Sequence, residues 1–141
     1  MKLSSHFNLE EFTRSEIADK LGIDNNIDWL DSVYVVDNLE RLCKCTLEPL
    51  RRYLDEPVFV SSGYRCKRLN EAVGGVEASQ HRTGEAADIY FESFKKRWFE
   101  AVIYLISSQC VPFDQLIIYP TFIHVSLSTQ NRREVLDYRN R

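Results

Sequence analysis

Hydrophobic residues in the first half of the chain recur at steps of three and four, which is the spacing of an amphipathic helix. The longest such run extends from about Ile27 to Leu54 and predicts one long core helix. Its apolar stripe consists of Leu30, Val33, Val36, Leu39, Cys43, Leu47, Leu50 and Leu54. Upstream, Asn8 and Ser15 are typical helix caps and Gly22 is a typical helix stop, so two short helices are expected there.

From Pro57 onward the pattern changes to short apolar runs that end at glycine or at polar residues. The segments PVFVSSGYR and AADIYF predict strands, and KRLNEAVGG predicts a short helix between them. The segment SFKKRWFEAVIYLISSQ predicts a second core helix capped by Ser93. Its apolar stripe consists of Phe94, Trp98, Val102 and Leu105.

The segment FDQLIIYPTFIHVSLS contains two alternating apolar runs around YPTF, which predicts a hairpin. With the turn at Pro120 and Thr121, Ile117 lies opposite His124. In the same register Tyr119 lies on the face of the hairpin that carries His124. The last dozen residues are polar, and we expect them to be frayed or lightly packed.

Helices followed by short strands, with one intervening helix, predict an α+β fold in which a small, mainly antiparallel sheet packs against helices. The chain has 141 residues, of which 44% are hydrophobic. That size and composition are sufficient for a core without covalent cross-links. We therefore expect a single domain over residues 1–141.

Charge and hydropathy exclude several classes of partner. The net charge is −3 and the basic residues are scattered, so no nucleic-acid partner is expected. The N-terminal sequence MKLSSHFNLEEF has no apolar signal-peptide region, and no run approaches the roughly 18 apolar residues of a membrane span. We expect a monomeric protein that is cytoplasmic as synthesised and does not insert into membranes.

Two of the three histidines carry the candidate chemistry. His81 and Asp88 flank a turn at Gly84, which allows both side chains to face one point. His124 lies in the strand FIHVSLS, on the face opposite to its apolar residues. A hydrolytic zinc site usually takes three such ligands and leaves a fourth position open. Taken singly, a strand histidine is more often a satisfied polar residue than a ligand.

Three segments, SGYRCKRLNEAVGG, SQHRTGEAADI and FDQLI followed by FIHVS, together resemble the zinc-dependent D-alanyl-D-alanine carboxypeptidases of peptidase family M15, endolysin-like phage and prophage members included. The family motif S-x-H-x-x-G-x-A-x-D is met by Ser79, His81, Gly84, Ala86 and Asp88. The likeness covers roughly residues 7 to 135. It implies the fold that these enzymes share with the hedgehog amino-terminal signalling domain.

The resemblance implies that His81, Asp88 and His124 bind a Zn²⁺ ion. It also implies amide hydrolysis, in which the metal polarises the scissile carbonyl and makes water a nucleophile at neutral pH. The implied substrate is a D-amino-acid-containing peptide of bacterial peptidoglycan. The cut would remove a terminal D-alanine or fall within the stem peptide or cross-bridge.

Four further residues are candidate substrate contacts. Arg65 falls on the family's carboxylate-binding arginine, and its planar guanidinium suits that role, although a structural ion pair is the alternative. Ser79 and Gln80 precede the first ligand and are candidates for hydrogen bonding to the substrate or the loop. Tyr64 is a candidate because it adjoins Arg65.

The family's catalytic glutamate, a few residues before the last histidine, is replaced here by Tyr119. A tyrosine, with a reference pKa of ~10, is a poor base at neutral pH but can donate a hydrogen bond to a developing oxyanion. Asp114 is a carboxylate in the right segment, but in this register it points to the opposite face. Glu85, inside the turn between the ligands, is the other candidate base.

Three hypotheses remain open at this stage. The first is a zinc metallopeptidase acting on peptidoglycan, either in phage lysis or in recycling of wall fragments. The second is a catalytically silent, zinc-containing domain that binds wall peptide or another protein, and the missing glutamate motivates it. The third is a metal-free α+β domain in which the histidines are structural.

Overall fold

A computed structural model describes residues 1–140 of the chain. The α-helices are α1 (Leu9–Thr13), α2 (Glu16–Leu21), α3 (Ser32–Leu42), α4 (Glu48–Leu54), α5 (Lys67–Ala72) and α6 (Phe94–Ser107). One turn of π-helix, Cys43–Leu47, joins α3 to α4, and a 3₁₀ turn covers Gln80–Thr83. Within the described residues, no helix has both the length and the apolar composition needed to cross a bilayer.

Five strands form one sheet in the order β1-β2-β4-β3-β5. The strands are β1 (Phe59–Ser62), β2 (Ala86–Tyr90), β3 (Gln115–Ile118), β4 (Ile123–Ser126) and β5 (Glu134–Asp137). All neighbours pair antiparallel except β3 and β5, which pair parallel. The predicted α+β class, with a mainly antiparallel sheet packed against helices, is confirmed.

The long core helix is shorter than the hydrophobic pattern predicted. The prediction began at Ile27, whereas α3 begins at Ser32. Leu30 and Val33 are 73% and 74% exposed, so the first two positions of the predicted stripe do not contribute to the core. From Leu39 to Leu54 the prediction agrees with the structure, because the stripe continues through the π-helical turn with buried side chains.

The hairpin has the predicted register. Ile117 pairs with His124 across β3 and β4, and the Tyr119 amide donates to the Phe122 carbonyl oxygen at 3.0 Å. The apolar side chains of β4 are buried beneath the sheet. The opposite face of β4 therefore presents His124 to the candidate site.

The C-terminal segment is not frayed, but the alternative expectation of light packing agrees with the structure, since three of the four β5 residues are exposed. The segment forms β5, which extends the sheet beyond β3, and its alternation is too polar to indicate a strand from sequence. Arg133 fixes the entry to this strand, because its guanidinium donates to the carbonyl oxygens of Val111 and Leu105 at 2.8 and 3.0 Å. The guanidinium also lies 4.3 Å from the ring centroid of Phe113.

Candidate metal centre

Side chains from three different secondary-structure elements converge on one point above the sheet. His81 lies on the 3₁₀ turn, Asp88 on β2 and His124 on β4. Asp88 and His124 are direct cross-strand partners, so the backbone ladder fixes their relative position. One ligand atom from each of the three residues lies within 4.8 Å of the other two.

His81 is oriented by a hydrogen bond to the backbone. Its Nδ1 donates to the carbonyl oxygen of Gly63 at 2.7 Å. Its Nε2 faces Asp88, 3.4 Å from Oδ1. Because a carbonyl oxygen only accepts, Nδ1 carries the proton and Nε2 is the nitrogen available as a ligand.

Asp88 is held as a carboxylate although it is buried. Burial alone would raise the pKa of Asp88, but the hydrogen bonds from His124 and His81 outweigh it and hold the pKa well below its usual value. The shorter contact joins Oδ1 to Nδ1 of His124, at 2.9 Å. The site therefore combines one ionised carboxylate with two imidazoles.

Gly84 makes the turn between His81 and Asp88 possible. Its φ is +77°, in the left-handed region that favours glycine. A Cβ at this position would lie 2.7 Å from the carbonyl oxygen of Val35 on α3. The glycine thus satisfies both the turn and the close approach of the turn to the core helix.

Arg65 adjoins the three ligand candidates. Its Nη2 lies 3.9 Å from Oδ2 of Asp88, and its Nε donates to Oγ of Ser62 at 3.4 Å. Its Nη1 donates to Oδ1 of Asn70, also at 3.4 Å. These contacts are long, so the guanidinium retains capacity to pair with an incoming carboxylate.

A cavity of about 610 Å³ opens over the centre. All three ligand candidates line it, together with four other residues named from the sequence: Arg65, Ser79, Gln80 and Tyr119. Within the cavity wall, the Oγ of Ser79 accepts from the His81 amide at 3.2 Å. Ser79 therefore orients the loop that carries a ligand candidate.

Tyr119 reaches the same cavity from the end of β3. Its ring stacks on Phe122, with 4.5 Å between centroids, and meets Tyr138 edge to face at 5.8 Å. Both Tyr119 and Phe122 line the cavity. The position expected to hold a glutamate thus presents an aromatic ring fixed by its neighbours.

Asp114 does not line the cavity and is fully engaged elsewhere. Nε and Nη2 of Arg132 donate to its two carboxylate oxygens at 3.1 and 3.0 Å, and Nε2 of Gln80 donates at 3.0 Å. The hydrogen bonds from Arg132, together with that from Gln80, outweigh burial and lower the pKa of Asp114 to about 2. Such a group accepts a proton poorly at neutral pH.

Glu85 is also outside the cavity wall. Oγ1 of Thr83 donates to its carboxylate, and its backbone oxygen accepts from the Leu127 amide at 2.9 Å. The structure therefore gives Glu85 a role within the turn. Neither carboxylate named as a candidate base lies beside the three ligand candidates.

Two other residues lie away from the cavity. Tyr64 is 4% exposed and belongs to the hydrophobic core, where its carbonyl oxygen accepts from Asn25 at 2.9 Å. His6 pairs with Glu48, with 2.7 Å between Nδ1 and Oε1. His6 is thus the one histidine that takes no part in the cluster.

Sequence reasoning did not single out Arg132, which lines the cavity. Arg132 and Gln80 both donate hydrogen bonds to the carboxylate of Asp114. These hydrogen bonds connect the residue before β3, the 3₁₀ turn and the segment before β5. The only signal in the sequence is the basic pair in QNRRE, which does not identify a partner. Such a contact becomes visible only when the C-terminal segment is known to return to the sheet.

The donor set fits a zinc ion. Two imidazole nitrogens and one carboxylate oxygen are ligands that zinc takes in hydrolytic sites, where a fourth position stays open. The second contact of His81, to Gly63, is the outer-shell interaction that orients a metal-binding imidazole. The cavity leaves room for water and substrate on the open side.

Comparison with known sequences agrees with this geometry. A sequence model of the family described as Peptidase M15 matches residues 5–126. The matched span contains all three ligand candidates and Arg65. A search of curated proteins found no match.

Proposed function

Because the chain belongs to the peptidase M15 family, we propose that it is a zinc-dependent metallopeptidase that hydrolyses D-amino-acid-containing peptides of bacterial peptidoglycan. The observation that carries the proposal is the convergence of His81, Asp88 and His124 within 4.8 Å beside a charged arginine. These residues would hold the metal. The cleaved bond would be a D-alanyl-D-alanine bond or a bond within the stem or cross-bridge.

A zinc ion bound here would supply polarisation of the scissile carbonyl and activation of a water molecule. The protein's own residues position the reactants. Asp88 and the two imidazoles define the ligand face, and Arg65 pairs with a carboxylate of the substrate at one side of it. Ser79 holds the His81 amide, so the ligand face stays rigid while the substrate binds.

Tyr119 is the residue proposed to stabilise charge on the substrate. Its ring is fixed by Phe122 and Tyr138, and it lines the cavity on the same face of the sheet as His124. A phenol in this position donates a hydrogen bond to the oxygen that becomes negative during hydrolysis. The proton of the attacking water would pass through solvent in the open cavity to the nitrogen of the leaving amine.

The class of reaction suggests two biological settings for the protein. A peptidase of the cell wall serves a phage at lysis, when the enzyme must reach the wall from inside the cell. The same chemistry serves recycling of wall fragments. Assays on intact wall and on soluble fragments distinguish the two settings, because only a lytic enzyme needs to act on cross-linked polymer.

The proposal is tested with purified protein and defined muropeptides. Metal content is measured by mass spectrometry, and cleavage of peptides ending in D-Ala-D-Ala is followed by chromatography. We expect about one zinc per chain and cleavage that is abolished by chelation and by His81→Ala. The matched control is His6→Ala, which removes a histidine outside the cluster and should leave metal content and cleavage unchanged.

A second candidate function is a zinc-containing domain that binds wall peptide without cutting it. The observation that favours it is the engagement of Asp114 with Arg132 and of Glu85 with Thr83, since among residues 1–140 no glutamate lines the cavity. Zinc binding and saturable peptide binding without cleavage, in wild type and in Asp114→Asn alike, would support this candidate over the peptidase.

A further inference from the structure

A second cavity, of about 480 Å³, lies at the β1 edge of the sheet. We call it the edge cavity; the residues of its wall used here are Arg14, Ile17, Ser62, Arg65, Val73 and Tyr90. The strand order places β1 at the end of the sheet, with β2 as its neighbour on one side. Among residues 1–140, no strand pairs with the other edge of β1.

The edge cavity opens on the same face of the sheet as the metal centre. Ser62 pairs with Asp88 across β1 and β2, and directly paired residues share a face. Tyr90 follows Asp88 by two positions on β2, so it also shares that face. A chain lying across the sheet from the metal centre toward β1 therefore meets the edge cavity next.

Arg65 belongs to the walls of both cavities. One side of its guanidinium faces Asp88 in the metal cavity at 3.9 Å, and Nε faces Ser62 in the edge cavity at 3.4 Å. Its side chain is 17% exposed, so it is a fixed boundary rather than a mobile surface group. The two cavities thus meet at one positively charged residue.

The wall of the edge cavity combines apolar surface with a net positive charge, because it holds two arginines, Arg14 and Arg65, and one acidic residue, Glu16. Ile17 is 47% exposed and Tyr90 is 41% exposed, so both offer apolar contact to a bound molecule. The guanidinium of Arg14 has no hydrogen-bond or ion-pair partner among residues 1–140. A partner with apolar groups and a carboxylate complements this wall.

We infer that the edge cavity binds a further part of the peptide substrate, a segment that carries a free carboxylate and continues past Arg65 from the metal centre. This inference rests on the proposed function for the identity of the peptide. Stem peptides fit the chemistry, because they carry carboxylates on residues other than the last. Arg14 pairs with that carboxylate, while Val73 and Tyr90 pack against the chain beside it.

The test compares a short and a long substrate in the zinc-loaded protein. The short substrate is diacetyl-L-Lys-D-Ala-D-Ala, and the long one is a cross-linked dimer of stem peptides, which has chain on both sides of the cut bond. For Arg14→Glu we expect kcat/KM on the dimer to fall about fivefold or more, the scale of one charge contact at a partly exposed site. The value for the short substrate should stay within about twofold.

Three further variants separate this effect from general damage. Val73→Trp should fill the edge cavity and lower kcat/KM for the dimer alone. Arg52→Glu and Val33→Trp are the matched controls, because both residues are exposed and line neither cavity. An equal loss on both substrates, or no loss on the dimer in either edge-cavity variant, would overturn the inference.

Failure of the proposed function has a different signature. If the protein does not cleave the dimer, binding of the uncut dimer to the zinc-loaded protein is measured by calorimetry. A Kd that rises about fivefold in Arg14→Glu but not in Arg52→Glu supports the edge cavity as a peptide site even without catalysis. Equal Kd values in wild type and both variants would count against it.

Discussion

Asp88 and His124 face each other across two antiparallel strands, with 2.9 Å between Oδ1 and Nδ1. Because the two residues are direct ladder partners, their separation is set by the backbone and not by flexible loops. A metal ion held by both residues would require little movement of the main chain, because the two side chains already face each other. This geometry distinguishes the centre from a chance meeting of surface side chains.

Zinc binding should depend on the cluster and not on histidine content. For His124→Ala and Asp88→Asn we expect zinc affinity to fall at least ~100-fold, since each loses one of three ligands. Excess zinc should raise the unfolding temperature of wild type but not of these variants, because only a folded protein with an intact site binds it. His6→Ala, measured alongside by calorimetry and thermal unfolding, should behave as wild type; an equal loss there would refute this assignment.

Asp114 should contribute to stability and not to proton transfer. Its pKa of about 2 lies below the unfolded value near 3.8, so its contribution is present above about pH 4 and is lost as the pH falls through 2. Asp114→Asn should lower the free energy of unfolding by about 2 kcal/mol at pH 7, and the difference from wild type should shrink at acid pH. Urea denaturation at several pH values measures this.

The control for Asp114 is Asp137→Asn. Arg139 donates to the Asp137 carboxylate and lowers its pKa to about 2, but this pair is exposed to solvent. We expect a smaller, salt-sensitive effect there. Complete loss of cleavage in Asp114→Asn, with stability unchanged, would instead identify Asp114 as the catalytic base.

The turn between the first two ligands should tolerate no side chain at Gly84. Gly84→Ala meets both a positive φ and a contact of 2.7 Å with the Val35 carbonyl oxygen. Gly74→Ala is the matched control, because Gly74 also has a positive φ, of +73°, but has open space around it. We expect the control to cost about 1 kcal/mol and Gly84→Ala to cost about 1–3 kcal/mol more, measured by urea denaturation. Equal costs would contradict the proposed packing constraint.

The residue at position 119 should control the rate and not the metal affinity. Removing one donor to the oxyanion typically lowers kcat about 10²-fold or more, so Tyr119→Phe should do so while zinc affinity is unchanged. Tyr119→Glu supplies the carboxylate expected at this place and should introduce a new acid limb in the pH profile of kcat. If both variants match wild type in steady-state kinetics, Tyr119 has no part in the reaction.

Local patterns were sufficient to predict the elements that build the metal centre. The alternation in FIHVSLS and the turn at Pro120 predicted the pairing of Ile117 with His124, which the structure has. The spacing from His81 to Asp88 around Gly84 predicted a turn that brings both side chains to one side. These features depend on neighbours in sequence or on a single hairpin, which is why periodicity reveals them.

Features that depend on distant segments were not predictable. Leu30 and Val33 continue the helical spacing, yet no part of the described chain covers them, and only the packed structure shows this. The parallel pairing of β5 with β3 arises from a polar segment without a clear strand pattern. Asp114 could be placed beside the hairpin, but its pairing with Arg132 could not be predicted, because Arg132 lies in that C-terminal segment.

The order of the strands in the sheet bears on how the protein is made. β4 lies between β2 and β3, so β2 has an open inner edge until the ribosome has delivered His124, which follows His81 by 43 positions. At about 5–20 residues per second, His124 is synthesised several seconds after His81 and Asp88. During that interval the nascent chain exposes an apolar strand edge, and a metal ion that needs all three residues could be bound only by the nearly completed polypeptide.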